Sequence, residues 1–355
     1  RLRHPSWKGL REDKPAREIV RERPAGEGGG SQPRGSASGV GRAKLAFVRA
    51  RSRPTARRAA SAATAAEVAG IRITHPDRVL YQPQGITKLD LARFYETIAE
   101  WILPHLRSRP TSLVRCPEGL AKECFYQKHV GTWAPAALRR VRIQEKKKVG
   151  EYLVVDDLPG LIGLVQIGIL EIHTWNAVTE DLEEPDRLVF DLDPGDDVPW
   201  RDVVAAARTL RAYLRDVGLE SFLKTTGGKG LHLVVPIDRG PGWDDCLAFS
   251  RSVAETLARD SPKSFTADVA KSERGGRIYL DYLRNLRGAT AVAAFSTRAR
   301  QGAPVSTPLA WDELGARIRS DHFTVSNLPR RLASLRSDPW KAYTTTHQAL
   351  PADRR

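Results

Sequence analysis

Asp191 and Asp193 stand two residues apart in the run Arg187-Leu-Val-Phe-Asp-Leu-Asp-Pro-Gly195. Alternate side chains of an extended chain point to opposite faces, so both carboxylates share one side while Leu188, Phe190 and Leu192 fill the other. Pro194-Gly195 then ends the strand. Carboxylates this close repel unless a cation lies between them, and Mg²⁺ or Mn²⁺ shared with substrate phosphates is a common resolution. A strand that simply ends in an acidic turn accounts for the segment equally well.

Two further clusters weigh on that choice. Lys224-Thr-Thr-Gly-Gly-Lys-Gly-Leu-His-Leu-Val-Val-Pro236 contains a glycine turn whose backbone N–H groups can cradle an anion, with Lys229 adding a point charge. His232 opens the next strand and faces back toward the turn. A plain hairpin turn fits this segment too, and the order of residues is not that of a Walker loop. In Arg277-Ile-Tyr-Leu-Asp-Tyr-Leu-Arg-Asn-Leu-Arg-Gly288, Asp281 ends another apolar strand, and Ser296-Thr-Arg-Ala-Arg300 places Arg298 and Arg300 two apart. Arginine is the preferred bidentate partner of phosphate oxygens. Three strand-end aspartates, a lysine-bearing turn and an arginine pair meet the needs of nucleotidyl transfer, in which carboxylate-held metals act on the attacking and leaving oxygens and cations steady a triphosphate. A two-metal nuclease also clusters aspartates but has less need of the cationic clamp.

The elements that must position these groups alternate. Candidate strands cover 111–116, 151–155, 187–192, 231–235 and 277–281, and candidate helices cover 160–170, 200–217 and 243–259. Thr87 is placed to cap a helix whose apolar residues Leu91, Phe94, Tyr95, Ile98 and Ile102 follow helical spacing. A short strand at 68–74 precedes it. The pattern is that of an α/β or α+β domain.

Composition bounds the rest. The 355 residues carry a net charge of +15, and residues 1–60 alone hold 16 Lys and Arg against 5 Asp and Glu, leaving +4 for the remainder. Such a basic stretch holds a polyanion without reading its sequence, and a solubilising linker explains it as well. Residues 16–66, rich in Gly, Ser, Ala, Pro and Arg, read as a disordered basic linker. No apolar run approaches a membrane span, and no secretory signal opens the chain. Three cysteines (Cys116, Cys124 and Cys246) are too few and too irregular for a disulfide framework or zinc site, which suggests a reducing cytosol. The chain opens on Arg1 and has no methionine, as expected of a piece of a longer reading frame.

Asp191-Leu-Asp-Pro-Gly195, Thr226-Gly-Gly-Lys-Gly-Leu-His232 and Asp281-Tyr-Leu-Arg-Asn with Arg287-Gly-Ala-Thr290 resemble, in order and separation, the motifs of the polymerase domain of bacterial ligase D. That domain belongs to the archaeo-eukaryotic primase superfamily, and the resemblance spans residues 67–345, leaving 346–355 as a tail. It implies a primase-type catalytic core with an RRM-like half. It implies that Asp191, Asp193 and Asp281 bind two catalytic metal ions, Mn²⁺ favoured over Mg²⁺, and that His173, in Leu170-Glu-Ile-His-Thr-Trp175, serves catalysis. Around an incoming NTP or dNTP it places Thr226, Lys229, His232, Arg284, Arg298 and Arg300. Phe125, in Glu123-Cys-Phe-Tyr-Gln-Lys-His129, matches an aromatic that stacks on a base, and Arg78 and Lys88 match the pair that holds the 5′-phosphate of a DNA end. Taken alone, Phe125 reads as core, Lys88 as a surface charge and His173 as a buried histidine. Thr226 stands where the family usually has serine, and Ala294-Phe295 replaces the frequent Pro-Tyr or Ala-Tyr.

Leu2-Arg-His-Pro-Ser-Trp-Lys-Gly-Leu-Arg-Glu-Asp-Lys-Pro15 is similar to the last nucleotidyltransferase motif of ATP-dependent DNA ligases, so residues 1–15 are expected to end a ligase domain lying upstream in cis. No Lys-x-Asp-Gly motif is present, so this chain alone is not expected to ligate. The expected activity is addition of NTPs, ribonucleotides preferred, to 3′ ends at double-strand breaks during non-homologous end joining. Ku is an expected partner and the bacterial nucleoid the expected place. A stand-alone primase and a non-catalytic 5′-phosphate-binding module are the alternatives.

Overall fold

The computed structural model of the chain describes residues 66–131, 134–135 and 138–351. The expected ligase-like segment 1–15 and nearly all of the linker lie outside these residues. β1 (Ala66–Val68) and β2 (Ile71–Ile73) form a hairpin where the sequence suggested one strand. Ala69 and Gly70 between them both take positive φ, 49° and 76°, the twist a two-residue hairpin turn needs. β3 (Val79–Tyr81) pairs with β4 (Ile86–Thr87), which runs into α1 (Lys88–Thr97). Thr87 caps α1 as expected: its hydroxyl accepts from Asp90 N at 3.1 Å, and Asp90 Oδ2 accepts from Thr87 N at 2.9 Å. The apolar stripe continues past a break at Ile98 into a separate helix, α2 (Ala99–Leu106).

The first sheet contains β5 (Thr111–Arg115), β6 (Phe125–Gln127), β7 (Arg139–Gln144), β8 (Val149–Val154) and β9 (Ile169–Thr174), with α3 (Leu158–Gln166) before β9. The helix expected over 160–170 therefore stops early. Gly168, at φ +82°, turns the chain, and Ile169 onward pairs with β5. The sequence hides this switch because apolar residues run through both elements. The reading of the cysteines also needs correction: Cys116 and Cys124 form a disulfide, while Cys246 is free and buried. The pairing joins two residues eight apart, a local clasp that cysteine number alone cannot reveal, and it removes the ground for inferring a reducing compartment.

The second sheet is built from β10 (Arg187–Pro194), α4 (Trp200–Asp216), β11 (Phe222–Thr225), β12 (Leu231–Pro236), α5 (Trp243–Asp260), β13 (Phe265–Thr266) and β14 (Ile278–Asp281). Its order β14-β10-β12-β11, all antiparallel, is the βαββαβ arrangement of an RRM-like unit. Leu188, Phe190 and Leu192 on β10 are fully buried, each contributing about 1.5–3 kcal/mol relative to exposure, and this fixes which way Asp191 and Asp193 face. β15 (Ala291–Val292) then returns to β9, and β16 (Pro308–Leu309) to β11, so the segment between them stitches the two sheets together. α6 (Leu328–Ser334) follows. The architecture is the mixed α/β one expected.

Candidate active site

Strand register creates the centre of the site. Asp191 lies opposite Asp281 of β14 on one side and opposite His232 of β12 on the other. His232 Nε2 is 3.4 Å from Asp191 Oδ1. Arg284 bridges two acids, with Nη2 3.1 Å from Asp191 Oδ2 and Nε 3.1 Å from Asp281 Oδ2. Arg274 pairs with Asp193 and lies over the Tyr279 ring at 4.4 Å. Burial alone would raise the Asp191 carboxyl, but His232, Arg284 and Lys224 outweigh it and hold it well below the usual carboxylate range. Burial and the charge on Asp191 push Asp193 up. Asp281 is also raised, by burial and by Asp191, against the pull of Arg284. Burial lowers His232 to about 4, so its imidazole is neutral at pH 7.

A divalent cation fits the chemistry of these donors. Three carboxylates supply hard oxygen ligands, and the upward shift of Asp193 and Asp281 marks a place where added positive charge is favourable. Among the described residues no three His, Cys, Asp or Glu groups converge as a ready-made cage. Arg274 and Arg284 neutralise the acids instead.

The acids open onto a cleft of about 400 Å³. Every site residue expected from the sequence lines it except Asp281, Phe125, Arg78 and Lys88, and Lys271 and Arg274 join them. The turn from Thr226 to Gly230 forms one wall. A Cβ on Gly230 would fall on the Leu192 carbonyl, so glycine lets the turn close onto β10 beside the acids. Lys229 reaches from the turn to Asp196, and Arg298 donates to the Thr226 carbonyl. The Thr226 hydroxyl is turned inward: it donates to Gly230 O at 3.0 Å and accepts from Gly228 N at 3.2 Å. It shapes the turn rather than reaching into the cleft.

Another part of the wall depends on a residue the sequence reading missed. Glu171, buried on β9, takes His173 Nε2 at 2.9 Å, Arg298 Nε at 3.1 Å and Ala299 N at 2.8 Å. Burial would raise this acid, but His173 and Arg298 bring it down to about 2. Glu171 thus orients two expected nucleotide contacts and the loop leading to Arg300. His173 is lowered, by burial first, against the upward pull of Glu171. Tyr126 presents its ring edge-on to His173, with centroids 6.0 Å apart, and its hydroxyl lies 2.8 Å from Thr290 Oγ1. The alternation Glu171-x-His173 was the available signal for Glu171, had β9 been recognised as a strand. Phe295 is buried against Trp101 and His105, so the missing phenol lies in the core and not in the cleft.

The remaining expected residues lie apart from the cleft. Phe125 on β6 is 41% exposed, with the Arg115 guanidinium 5.8 Å from its ring, so it is not core. Arg78 and Lys88 flank the β3–β4 hairpin, where Lys88 N donates to Arg78 O at 2.8 Å. Arg78 Nη1 donates to Pro117 O at 2.6 Å and Lys88 Nζ to Thr74 O at 2.9 Å. Lys88 is buried at 5% exposure, not a surface charge. Burial and the neighbouring Arg78 lower it to about 8. Neither pairs with a carboxylate among the described residues, which leaves two adjacent cations free for an anion.

With this geometry in hand, similarity to known proteins is informative. The profile of the LigD primase-polymerase domain matches residues 87–340. The multifunctional non-homologous end joining protein LigD of Pseudomonas aeruginosa is 40% identical over 354 residues, covering 99% of this chain and 39% of that protein. The protein of the same description from Mycolicibacterium smegmatis is 36% identical over 69% of this chain and 32% of its own length. The chain therefore spans roughly a third of these relatives. Among solved structures, the polymerase domain of Mycobacterium tuberculosis ligase D in complex with DNA superposes with a TM-score of 0.70 at 30% identity, covering 74% of this chain and 94% of that one. The order of motifs, the RRM-like sheet carrying the aspartates and these similarities agree, and the chain belongs to the LigD primase-polymerase domain family.

Proposed function

We propose that the chain is a nucleotidyltransferase that adds NTPs, ribonucleotides in preference, to the 3′ end of a DNA strand at a double-strand break and releases pyrophosphate. The observation that carries this reading is the row Asp281–Asp191–His232 across three adjacent strands, with Asp193 on the same face, beside Lys229, Arg298 and Arg300. Asp191, Asp193 and Asp281 would hold two divalent ions, Mn²⁺ or Mg²⁺. Bound there, such ions make the 3′ hydroxyl a better nucleophile and offset charge on the leaving pyrophosphate.

The chain's own residues supply the rest. Lys229, Arg298 and Arg300 line the same cleft as the acids and would neutralise the triphosphate, and positioning provides most of the rate. His173 pairs through Nε2 with the ionised Glu171, which leaves Nδ1 to accept a hydrogen bond from the nucleotide. Arg284, bridging Asp191 and Asp281, and Arg274, paired with Asp193, offset the negative charge of the acids. Phe125 offers a stacking face for a template base, and Arg78 with Lys88 takes the 5′-phosphate on the far side of the gap. Upstream ligase activity in cis and recruitment by Ku belong to the longer protein on this reading, and its place of action is the bacterial chromosome.

The test is primer extension with Mn²⁺ and NTPs on a gapped duplex. Incorporation that is stronger with a 5′-phosphate across the gap than with a 5′-hydroxyl is expected. Phosphate-dependent binding with no incorporation under any metal would leave only an end-binding module. Efficient synthesis from template and NTPs without a primer would make the protein a primase.

A further inference from the structure

The Thr226–Gly230 turn is held on three sides. β10 supports it through Leu192 and Gly230, and Arg298 supports it through the Thr226 carbonyl. The third support comes from residues 319–321, a loop segment with no residue in the wall of the main cleft. Ser320 is buried there at 3% exposure. Its Oγ donates to Gly230 O at 2.5 Å and lies 3.0 Å from Thr226 Oγ1, and its carbonyl accepts from Gly227 N at 3.0 Å. One side chain therefore ties together both ends of the turn that carries Gly228 and Lys229.

The proton count sharpens this role. Gly230 O is within reach of both hydroxyls, but each hydroxyl has a single proton. Gly230 O, with two lone pairs, can take both protons, or one hydroxyl can donate to the carbonyl while the other donates to that hydroxyl. In every arrangement Ser320 Oγ contacts both Thr226 Oγ1 and Gly230 O, the two ends of the turn. Without it, Thr226 Oγ1 keeps Gly230 O and Gly228 N but loses its third contact, and Gly230 O loses one of its two hydroxyl donors, so the turn holds Gly228 and Lys229 in line less firmly.

We propose that Ser320 is a positioning residue for the nucleotide site: it fixes the Thr226–Gly230 turn in the shape that presents Lys229 and the backbone of Gly228 to the triphosphate of the incoming nucleotide. The inference rests on the nucleotidyl-transfer reading above. Ser320 touches no substrate in this arrangement, and its effect reaches the cleft only through the turn.

The test compares Ser320→Ala with Ser320→Thr in the full chain. Ser320→Ala is expected to raise KM for ATP about fivefold, the equivalent of one net hydrogen bond, with kcat changed by less than about twofold. Equilibrium dialysis of ATP with Mn²⁺ should show the same loss of affinity, while binding of a 5′-phosphorylated duplex end stays at the wild-type level. Ser320→Thr, which keeps the hydroxyl, should restore ATP affinity. A wild-type KM and ATP affinity in Ser320→Ala would overturn the assignment. So would a Ser320→Thr that shares the alanine defect, or a loss that falls equally on ATP and duplex-end binding. Should Ser320→Ala fail to fold, Ser320→Cys, with its weak S–H donor, replaces it under the same criteria. A wild-type chain that incorporates no nucleotide overturns the functional reading, whereas dialysis with ATP still reports on Ser320.

Discussion

At the scale of single residues, environment separates the roles of chemically similar groups. Asp191, Asp193 and Asp281 share one face, yet only at Asp191 do the neighbouring His232, Arg284 and Lys224 outweigh burial, whereas burial and Asp191 itself push the other two up against Arg284. Lys88 shows the same logic for a cation. Its pKa of about 8 means that it is charged below that pH and loses its proton above it. The preference for a 5′-phosphate over a 5′-hydroxyl in duplex-end binding should therefore shrink several-fold between pH 7 and pH 9. Lys88→Met should show little preference at either pH. Competition binding with the two ends measures this, and a preference unchanged across that range would remove Lys88 from the phosphate site. The residue types for these roles were readable from the sequence because Asp-x-Asp, the glycine turn and Arg-x-Arg are local patterns. Glu171 was not readable, since its importance comes from meeting Arg298 and Ala299, far along the chain.

At the scale of elements, local signals sufficed where side-chain period and caps agreed. β10 alternates buried apolar and cleft-facing acidic residues, and Thr87 starts α1 with a reciprocal cap, so both stood out. β9 did not, because its residues are nearly all buried and continue an apolar helix without a change in character. The pairing of Asp191 with Asp281 joins strands separated by two α-helices and three other strands, which no local pattern encodes. The Cys116–Cys124 clasp was equally hidden. It closes a short loop that lies on the β3 hairpin, with Leu120 N donating to Leu80 O at 2.7 Å and Pro117 O taking Arg78. Loop closure of this length contributes about 2–3 kcal/mol. Cys124→Ser should lower the free energy of unfolding by about that amount in denaturant titrations, and reductant should bring the wild type to the same value. A wild-type midpoint insensitive to reductant would contradict the clasp.

At the scale of the whole molecule, charge and chemistry are divided between regions. Residues 1–60 carry 16 basic against 5 acidic residues, while the domain that follows holds the strand-end acids and the cationic residues proposed to bind triphosphate and 5′-phosphate. Among the described residues no helix is long and apolar enough to cross a membrane. A chain lacking residues 1–60 should bind all DNA more weakly at low salt and with a shallower dependence on salt, but keep its preference for a 5′-phosphate. Gel-shift titrations across salt concentrations would show this, and loss of the preference would move end recognition into the basic segment. The central claim is that the strand-end acids make this family member a catalyst and not only an end-binder. Single-nucleotide incorporation on a gapped, 5′-phosphorylated duplex with Mn²⁺, by wild type and Asp191→Asn, tests it most directly. The account predicts that Asp191→Asn loses at least about a hundredfold in rate while binding the DNA end as wild type does. Incorporation by Asp191→Asn at the wild-type rate would contradict it.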